Sequence, residues 1–352
     1  MKILIFAGGI GTRFWPMSRK SFPKQFQKIF NGKSTLELTW QRLAPDFGAE
    51  NIFLQTVPEF EDLCKKELPD LNPDNIILEP SRRNNGPAVC MATQTLVEKG
   101  LTGPVSIIWA DNIMEREDEL VNFLKAAEAL INENKDRFIF IGERPRFASN
   151  NLGWIHTGTE LGRIDDQPYY KFLGWKYKPE IEECNAMFDS GEYLWNPGYF
   201  ITSIEFLDNQ FKTLTPELYQ TVKSAYNSAE KISFDKAIIE HTDLSSAVVL
   251  KTDMGWSDPG TLYALKEALQ MDELENVTKG NVFNLDSKDC LTYNLEDKKL
   301  LTTVGLEGIV IVNTKDAIIV VPKDKVKYVT DLVKKLEGEG KIQVGGAGEE
   351  LV

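Results

Sequence analysis

Residues 8–26 read Gly-Gly-Ile-Gly-Thr-Arg-Phe-Trp-Pro-Met-Ser-Arg-Lys-Ser-Phe-Pro-Lys-Gln-Phe and directly follow the apolar run Ile3–Ala7. A strand feeding a glycine-rich turn leaves backbone N–H groups open to an anion. Arg13, Arg19, Lys20 and Lys24 add positive charge to that turn. The chain carries 53 acidic against 40 basic residues, yet no Asp or Glu occurs before Glu37. An acidic chain that keeps one segment clear of carboxylates points to a polyphosphate held there by exposed loop charges. The glycines by themselves leave the ligand open. A dinucleotide loop needs Gly-x-Gly-x-x-Gly opening a helix, but Phe14 takes the third glycine's place and Pro16 interrupts any helix. The P-loop pattern Gly-x-x-x-x-Gly-Lys-Ser/Thr does not occur. The plain alternative is an ordinary strand-to-loop turn with surface charges.

Two aspartates offer a place for the counter-ion such a ligand brings. Asp111 follows the run Val105–Trp109 in Trp-Ala-Asp-Asn, and Asp258 lies in Gly-Trp-Ser-Asp-Pro-Gly ahead of the helical pattern Thr261–Leu269. Mg²⁺ takes one or two protein carboxylates plus phosphate oxygens, so two loop aspartates on one crevice suffice without histidine. Taken singly, each reads equally well as a turn or cap residue.

The nineteen residues resemble the signature Gly-Gly-x-Gly-Thr-Arg-x-x-Pro-x-Ser-x-x-x-Pro-Lys of the sugar-phosphate nucleotidyltransferases. Trp15, Pro16, Ser18, Arg19 and Pro23-Lys24-Gln25-Phe26 resemble the mannose-1-phosphate guanylyltransferase branch. Further motifs follow in order as far as about Leu336. The resemblance implies transfer of a nucleotidyl group from GTP to mannose 1-phosphate or a related sugar 1-phosphate, with release of pyrophosphate. It implies Arg13 and Lys24 as catalytic residues, Gly8, Gly9, Gly11 and Thr12 on the nucleotide, and Asp111 and Asp258 as Mg²⁺ ligands. Asp111-Asn112 stands where the family usually has Asp-His.

Glu79-Pro80-x-x-x-Asn84-x-Gly86-Pro87-Ala88 resembles the family's Glu-Pro-x-x-x-Asn-Thr-Ala-Pro-Ala and implies Glu79, Asn84 and Gly86 at the base. A carboxylate accepts two parallel hydrogen bonds from guanine N1–H and the exocyclic amine, a donor pair adenine lacks. The plain reading is a strand-end charge at Glu79 and a turn at Asn85-Gly86. Leu152-Gly153-Trp154-Ile155 and Leu194-Trp195-Asn196-Pro197-Gly198-Tyr199-Phe200 resemble the family's two sugar loops and imply Gly153 and Asn196 at the sugar; Trp195 also suits a core position. Trp175-Lys176-Tyr177-Lys178-Pro179 stands where the family has Phe-x-Glu-Lys-Pro. Lys178 is then expected on the sugar 1-phosphate, and Tyr177 replaces a carboxylate expected on sugar hydroxyls, which predicts weaker selectivity for the usual hexose. Two other readings stand beside this one. A noncatalytic nucleotide-sugar binding homologue is opposed by the intact Arg13, Lys24 and aspartate pair. A glycosyltransferase is opposed by Asp111-Asn112-Ile113, which is not Asp-x-Asp.

These residues need elements to position them. Strand-length apolar runs alternate with helical patterns: Ile3–Ala7 then Leu36–Leu43, Ile52–Thr56 then Glu59–Leu68, Asn75–Leu78 then Gly86–Glu98, Val105–Trp109 then Glu117–Ile131, and Phe138–Gly142. Leu120, Phe123, Leu124, Ala127 and Ile131 form a stripe at i, i+3, i+4 spacing for packing on a sheet. Such alternation predicts an α/β fold with a mixed, mostly parallel sheet, and the resemblance makes it Rossmann-like. Ligands in such sheets sit at the carboxyl ends of strands, where Gly8–Arg13 and Asp111 fall. After Leu269 short β runs replace the alternation and end in a helical 323–336; the resemblance implies a short left-handed β-helix that joins subunits as a homodimer. The expected division is a catalytic domain over 1–270, a β-helix-like domain over 271–340, and a frayed tail over 341–352.

A net charge of −13 opposes a nucleic-acid surface, and the longest apolar runs fall far short of a bilayer span. Met1-Lys2 leads straight into an expected strand, a pattern that predicts no secretory segment. Four scattered cysteines without Cys-x-x-Cys and two histidines argue against a zinc or disulfide framework and for a reducing cytoplasm.

Overall fold

The computed structural model describes residues 1–9, 11–30, 32–243 and 245–341, so the expected tail, apart from Lys341, lies outside the described residues. Contacts divide the chain into two compact units that interleave in sequence. Met1–Gly8, Thr39–Ala110 and Met114–Trp256 form one; Gly9–Leu38, Asp111–Ile113 and the described residues from Ser257 on form the other.

Among the described residues the first unit is built on a ten-stranded sheet. Its strands are β1 (Lys2–Phe6), β2 (Ile52–Thr56), β3 (Ile76–Leu78), β4 (Pro104–Trp109), β5 (Phe138–Glu143), β6 (Gly153–Ile164), β7 (Gln167–Tyr177), β8 (Tyr193–Asn196), β9 (Phe200–Ser203) and β10 (Ala247–Thr252). They lie in the order β10-β7-β6-β8-β5-β9-β4-β1-β2-β3, with β10 also paired to β5. The half running β3-β2-β1-β4 is parallel. All five residues of β2 are buried, as expected of strands covered on both faces. The helix Glu117–Glu133 buries the stripe Leu120, Phe123, Leu124, Ala127 and Ile131 that its spacing predicts. The other half is mostly antiparallel: β9 runs against β4 and β5, and β6 runs against β7 and β8. The hairpin β6–β7 and the strands β8, β9 and β10 are absent from the sequence-based expectation, whose alternation stops at Phe138–Gly142 and which names no strand again until the short β runs after Leu269.

The second unit carries β11 (Val277–Lys279), β12 (Val282–Leu285), β13 (Leu291–Asn294), β14 (Leu301–Val304), β15 (Ile309–Asn313) and β16 (Ile318–Pro322). β11, β13 and β15 stack in parallel, with Val277, Leu291 and Val310 in line. β12 and β14 stack in parallel as a second face, and β16 closes the first antiparallel to β15. Successive parallel rungs of this kind make a β-helix. Buried asparagines tie the rungs, Asn313 Nδ2 donating to Asn294 Oδ1 at 2.7 Å. The core of this unit combines Leu291, Tyr293, Val310 and Val312 with Phe14, Trp15 and Met17 from the glycine-rich loop and Leu262 and Leu265 from the helix Leu262–Leu269. Burial of those three loop side chains is why the loop after β1 packs with the β-helix strands. The helix Leu262–Leu269 is anchored by Lys266, fully buried, which donates to Asp289 and to the Glu273 carbonyl at 2.7 Å.

Candidate active site

At Gly11 the glycine-rich loop lies too close to Lys24 for a side chain to fit easily. Gly11 has φ 66°, and a Cβ there would lie 3.0 Å from Lys24 Cβ and 3.1 Å from Lys24 N, so the backbone folds over Lys24 only with glycine in place. Ser18 Oγ donates to the Gly11 carbonyl at 2.5 Å, and Gln25 Nε2 donates to the Gly9 carbonyl at 3.0 Å. Thr12–Phe14 forms a single 3-10 turn that buries Phe14 and leaves Arg13 exposed.

The loop's positive charge is divided between tasks. Arg19 pairs with Asp316 at 2.6 Å and Lys20 with Glu337 at 3.0 Å, so both act as staples within this unit. Lys24 is not the exposed loop charge that the sequence suggests; it is 4% exposed, because Phe14 and the glycine turn cover it. Its ammonium lies 3.4 Å from Asp111 Oδ2 and 3.4 Å from Asp258 Oδ1. The two aspartates are brought together by an antiparallel bridge, Ile113 N donating to Ser257 O at 3.1 Å and Ser257 N to Ile113 O at 2.9 Å. The Asp258 turn is closed by Gly260 N donating to the Asp258 carbonyl at 2.7 Å.

The two carboxylates converge on one ammonium, that of Lys24. No group of three or more His, Cys, Asp and Glu suited to a metal occurs among the described residues. Asp111 and Asp258 are hard oxygen donors, the type that suits a hard divalent cation completing its shell with phosphate oxygens and water. Asn112 beside them is 4% exposed, and its Oδ1 has no hydrogen-bond partner among the described residues.

The expected base-binding residues cluster in the sheet unit. Glu79 follows β3, with its N–H donating to Thr56 O at 2.8 Å, and the residue is 6% exposed. Glu79 Oε2 accepts from Tyr226 Oη at 2.8 Å. Burial pushes the Glu79 carboxyl above its usual range, with Tyr226, Gln55 and Arg82 pulling the other way. A Cβ at Gly8 would touch Glu79 Oε1 at 3.3 Å, and the Gly8 carbonyl accepts from Arg82 Nε at 3.3 Å. Asn84, with φ 74°, accepts from Asn85 N at 2.8 Å and starts the helix Asn85–Glu98. The two departures from the family pattern here have a shared cause. Asn85 Oδ1 accepts from Phe234 N at 2.9 Å, and Gly86 N donates to Ile232 O at 3.0 Å. A Cβ at Gly86 would meet that oxygen at 2.6 Å, which an alanine cannot relieve without moving backbone. Tyr226 has no signal in the sequence, since 147 residues separate it from Glu79.

The expected sugar-binding residues are in register on three adjacent strands. Gly153 on β6 pairs with Tyr177 on β7 and with Asn196 on β8, and cross-strand partners share one face of a sheet. These positions, read as loops from the sequence, are strand ends. Lys178 follows with φ 46°, its ammonium 5.4 Å from the Tyr177 ring centroid. Asn196 Oδ1 accepts from Gly198 N at 2.9 Å. Trp154 and Trp195 are both buried and serve the core. Asp235, on the short helix Phe234–Ala237, lies within electrostatic reach of Lys178. Burial pushes the Asp235 carboxyl above its usual range and Lys178 opposes the shift. Sequence reading passed over this carboxylate, because Ser-Phe-Asp-Lys carries no substrate motif.

The chain as a whole is similar to known proteins. The nucleotidyl transferase family model matches residues 2–275, and the MannoseP isomerase/GMP-like β-helix domain model matches residues 280–336. A mannose-1-phosphate guanylyltransferase of Klebsiella pneumoniae is 31% identical over 353 residues, covering 95% of this chain and 73% of the relative. One from Escherichia coli is 30% identical with the same coverage. A Thermus thermophilus crystal structure described as a mannose-1-phosphate geranyltransferase is similar with a TM-score of 0.82 at 27% identity, covering 96% of this chain and 99% of that one. With the glycine-rich signature, the ordered motifs and the β-helix all in place, the chain belongs to the nucleotidyl transferase family, in its mannose-1-phosphate guanylyltransferase branch.

Proposed function

We propose that this protein transfers the guanylyl group of GTP to mannose 1-phosphate or a closely related sugar 1-phosphate, forming a GDP-sugar and pyrophosphate. The observation that carries the reading is the buried Lys24 ammonium set 3.4 Å from both Asp111 and Asp258 beneath a glycine turn. A sugar-phosphate oxygen attacks the α-phosphorus and forms the new P–O bond; the bond from that phosphorus to the bridging oxygen breaks, and its electron pair leaves with pyrophosphate. The nucleophile is already an anion, so no general base is required. The protein's task is to hold two anions together and neutralise the charge that moves to the leaving group. Arg13 and Lys24 neutralise the triphosphate, while the N–H groups of Gly8, Gly9, Gly11 and Thr12 approach it closely. Asp111 and Asp258 would hold Mg²⁺, which when bound supplies further neutralisation of phosphate oxygens.

In this reading Glu79 accepts guanine's two donors, with Asn84 and Gly86 shaping the base site. Gly153, Tyr177 and Asn196 face the sugar, and Lys178 holds its phosphate. Residues 1–270 form the catalytic domain and 271–340 the β-helix-like domain. The outward positions Phe283, Leu285 and Val304, each about half exposed or more and close neighbours on β12 and β14, support pairing of two copies through that domain. The four cysteines are free and buried, which suits a reducing cytoplasm; no described helix is long and apolar enough to cross a membrane. The test is pyrophosphate release from four nucleoside triphosphates crossed with mannose, glucose and heptose 1-phosphates. GTP with mannose 1-phosphate should give the highest rate, and no release from any pair would overturn the reading.

A further inference from the structure

The base segment 79–86 is held by a second stretch of chain, 226–234, that no motif marks. Tyr226 Oη donates to Glu79 Oε2 at 2.8 Å, and Ser81 Oγ donates to Asn227 Oδ1 at 2.7 Å. Gly86 N donates to Ile232 O at 3.0 Å, and Phe234 N donates to Asn85 Oδ1 at 2.9 Å. Of these four contacts, only the first reaches a side chain assigned to base recognition. Tyr226 is 6% exposed and packed among core residues, so its hydroxyl has a fixed direction. Burial, then the neighbouring Glu79 charge, push its phenol well above the usual range, so at neutral pH it keeps its proton and acts as a donor.

A carboxylate can match guanine's parallel N–H pair only if its plane is fixed, since each oxygen must meet one donor. One donor on Oε2 fixes that plane and leaves a second lone pair on the same oxygen for the ligand. On the other side Gly8 leaves Oε1 a clearance that a side chain would close to 3.3 Å.

We propose that Tyr226 is a specificity-determining positioning residue: its hydroxyl orients the Glu79 carboxylate so that it accepts both guanine donors. This rests on the reading of Glu79 as the base acceptor. The probe is the preference for GTP over inosine triphosphate, whose base has the N1–H but lacks the exocyclic amine. Tyr226→Phe keeps the ring and removes the donor, and it should lower the ratio of kcat/KM for GTP to that for inosine triphosphate about tenfold, mostly through KM for GTP. Tyr226→Met fills the same space without a donor and serves if the first variant does not fold. Glu79→Gln is measured alongside. If Glu79→Gln changes both nucleotides equally, the base reading of Glu79 fails and the proposal with it. If Glu79→Gln collapses the ratio while the Tyr226 variants leave it intact, or shift both nucleotides together, Tyr226 is structural and the proposal alone is overturned.

Discussion

Replacing Lys24 with methionine separates the two roles that its position gives it. Methionine keeps most of the stem against Phe14 and removes only the ammonium. At 3.4 Å, each attraction to Asp111 and Asp258 is worth about 5 kcal/mol at an effective permittivity near 20. The Asp111 and Asp258 side chains are 45% and 33% exposed, so water screens much of this. The net cost should fall between that of surface pairs and that of broken buried pairs, roughly 1–3 kcal/mol. Thermal unfolding should therefore begin lower by about 2–4 °C for each kcal/mol lost. Because the variant leaves two carboxylates facing each other without a cation, added Mg²⁺ should restore more stability to it than to the wild type. Turnover, read as pyrophosphate release at saturating GTP and Mg²⁺, should fall by roughly a hundredfold or more, as when one preorganised donor is removed from a developing anion. Wild-type turnover in the variant, or a loss of stability that Mg²⁺ does not offset, would refute the reasoning.

Asp111→Asn and Asp258→Asn should each lower activity and raise the Mg²⁺ concentration needed for half-maximal rate, since each removes one hard anionic ligand; a titration in which only one variant shifts would show that the pair does not share a cation. Burial raises the Glu79 carboxyl, so protonation should remove the guanine acceptor at a pH above the range of an ordinary carboxylate. KM for GTP should then climb as pH falls through that raised value while KM for ATP stays level, and parallel profiles would count against the assignment. Asp235→Asn should raise KM for the sugar phosphate, because Asp235 stands near Lys178 where Tyr177 supplies no carboxylate. Tyr177→Glu should leave mannose 1-phosphate turnover unimproved, and a marked gain would show that the sugar acceptor went with the missing glutamate.

The parallel half of the sheet was readable because its signals are local. β1, β2 and β4 are near-continuous apolar runs, and the stripe from Leu120 to Ile131 repeats at helical spacing. The hairpin β6–β7 was not readable for a physical reason. Its pairing is interrupted by register shifts between His156 and Gly162, and much of it is exposed, so no clean alternation survives. The chemical residues Arg13, Lys24, Asp111, Asp258 and Glu79 stood out through their types and motifs. Their settings did not: counting charges could not separate buried Lys24 from Arg19 and Lys20, which are spent on Asp316 and Glu337. Tyr226 and Asp235 reach the site only through folding, far along the chain from the residues they serve.

The central claim, transfer of a guanylyl group to a sugar phosphate, is tested most directly by following the label from GTP. With mannose 1-phosphate and Mg²⁺ present, ³²P at the α-position should appear in a GDP-sugar, and ³²P at the γ-position should appear in pyrophosphate. Release of γ-label as orthophosphate, or α-label that never joins a sugar, would contradict the account.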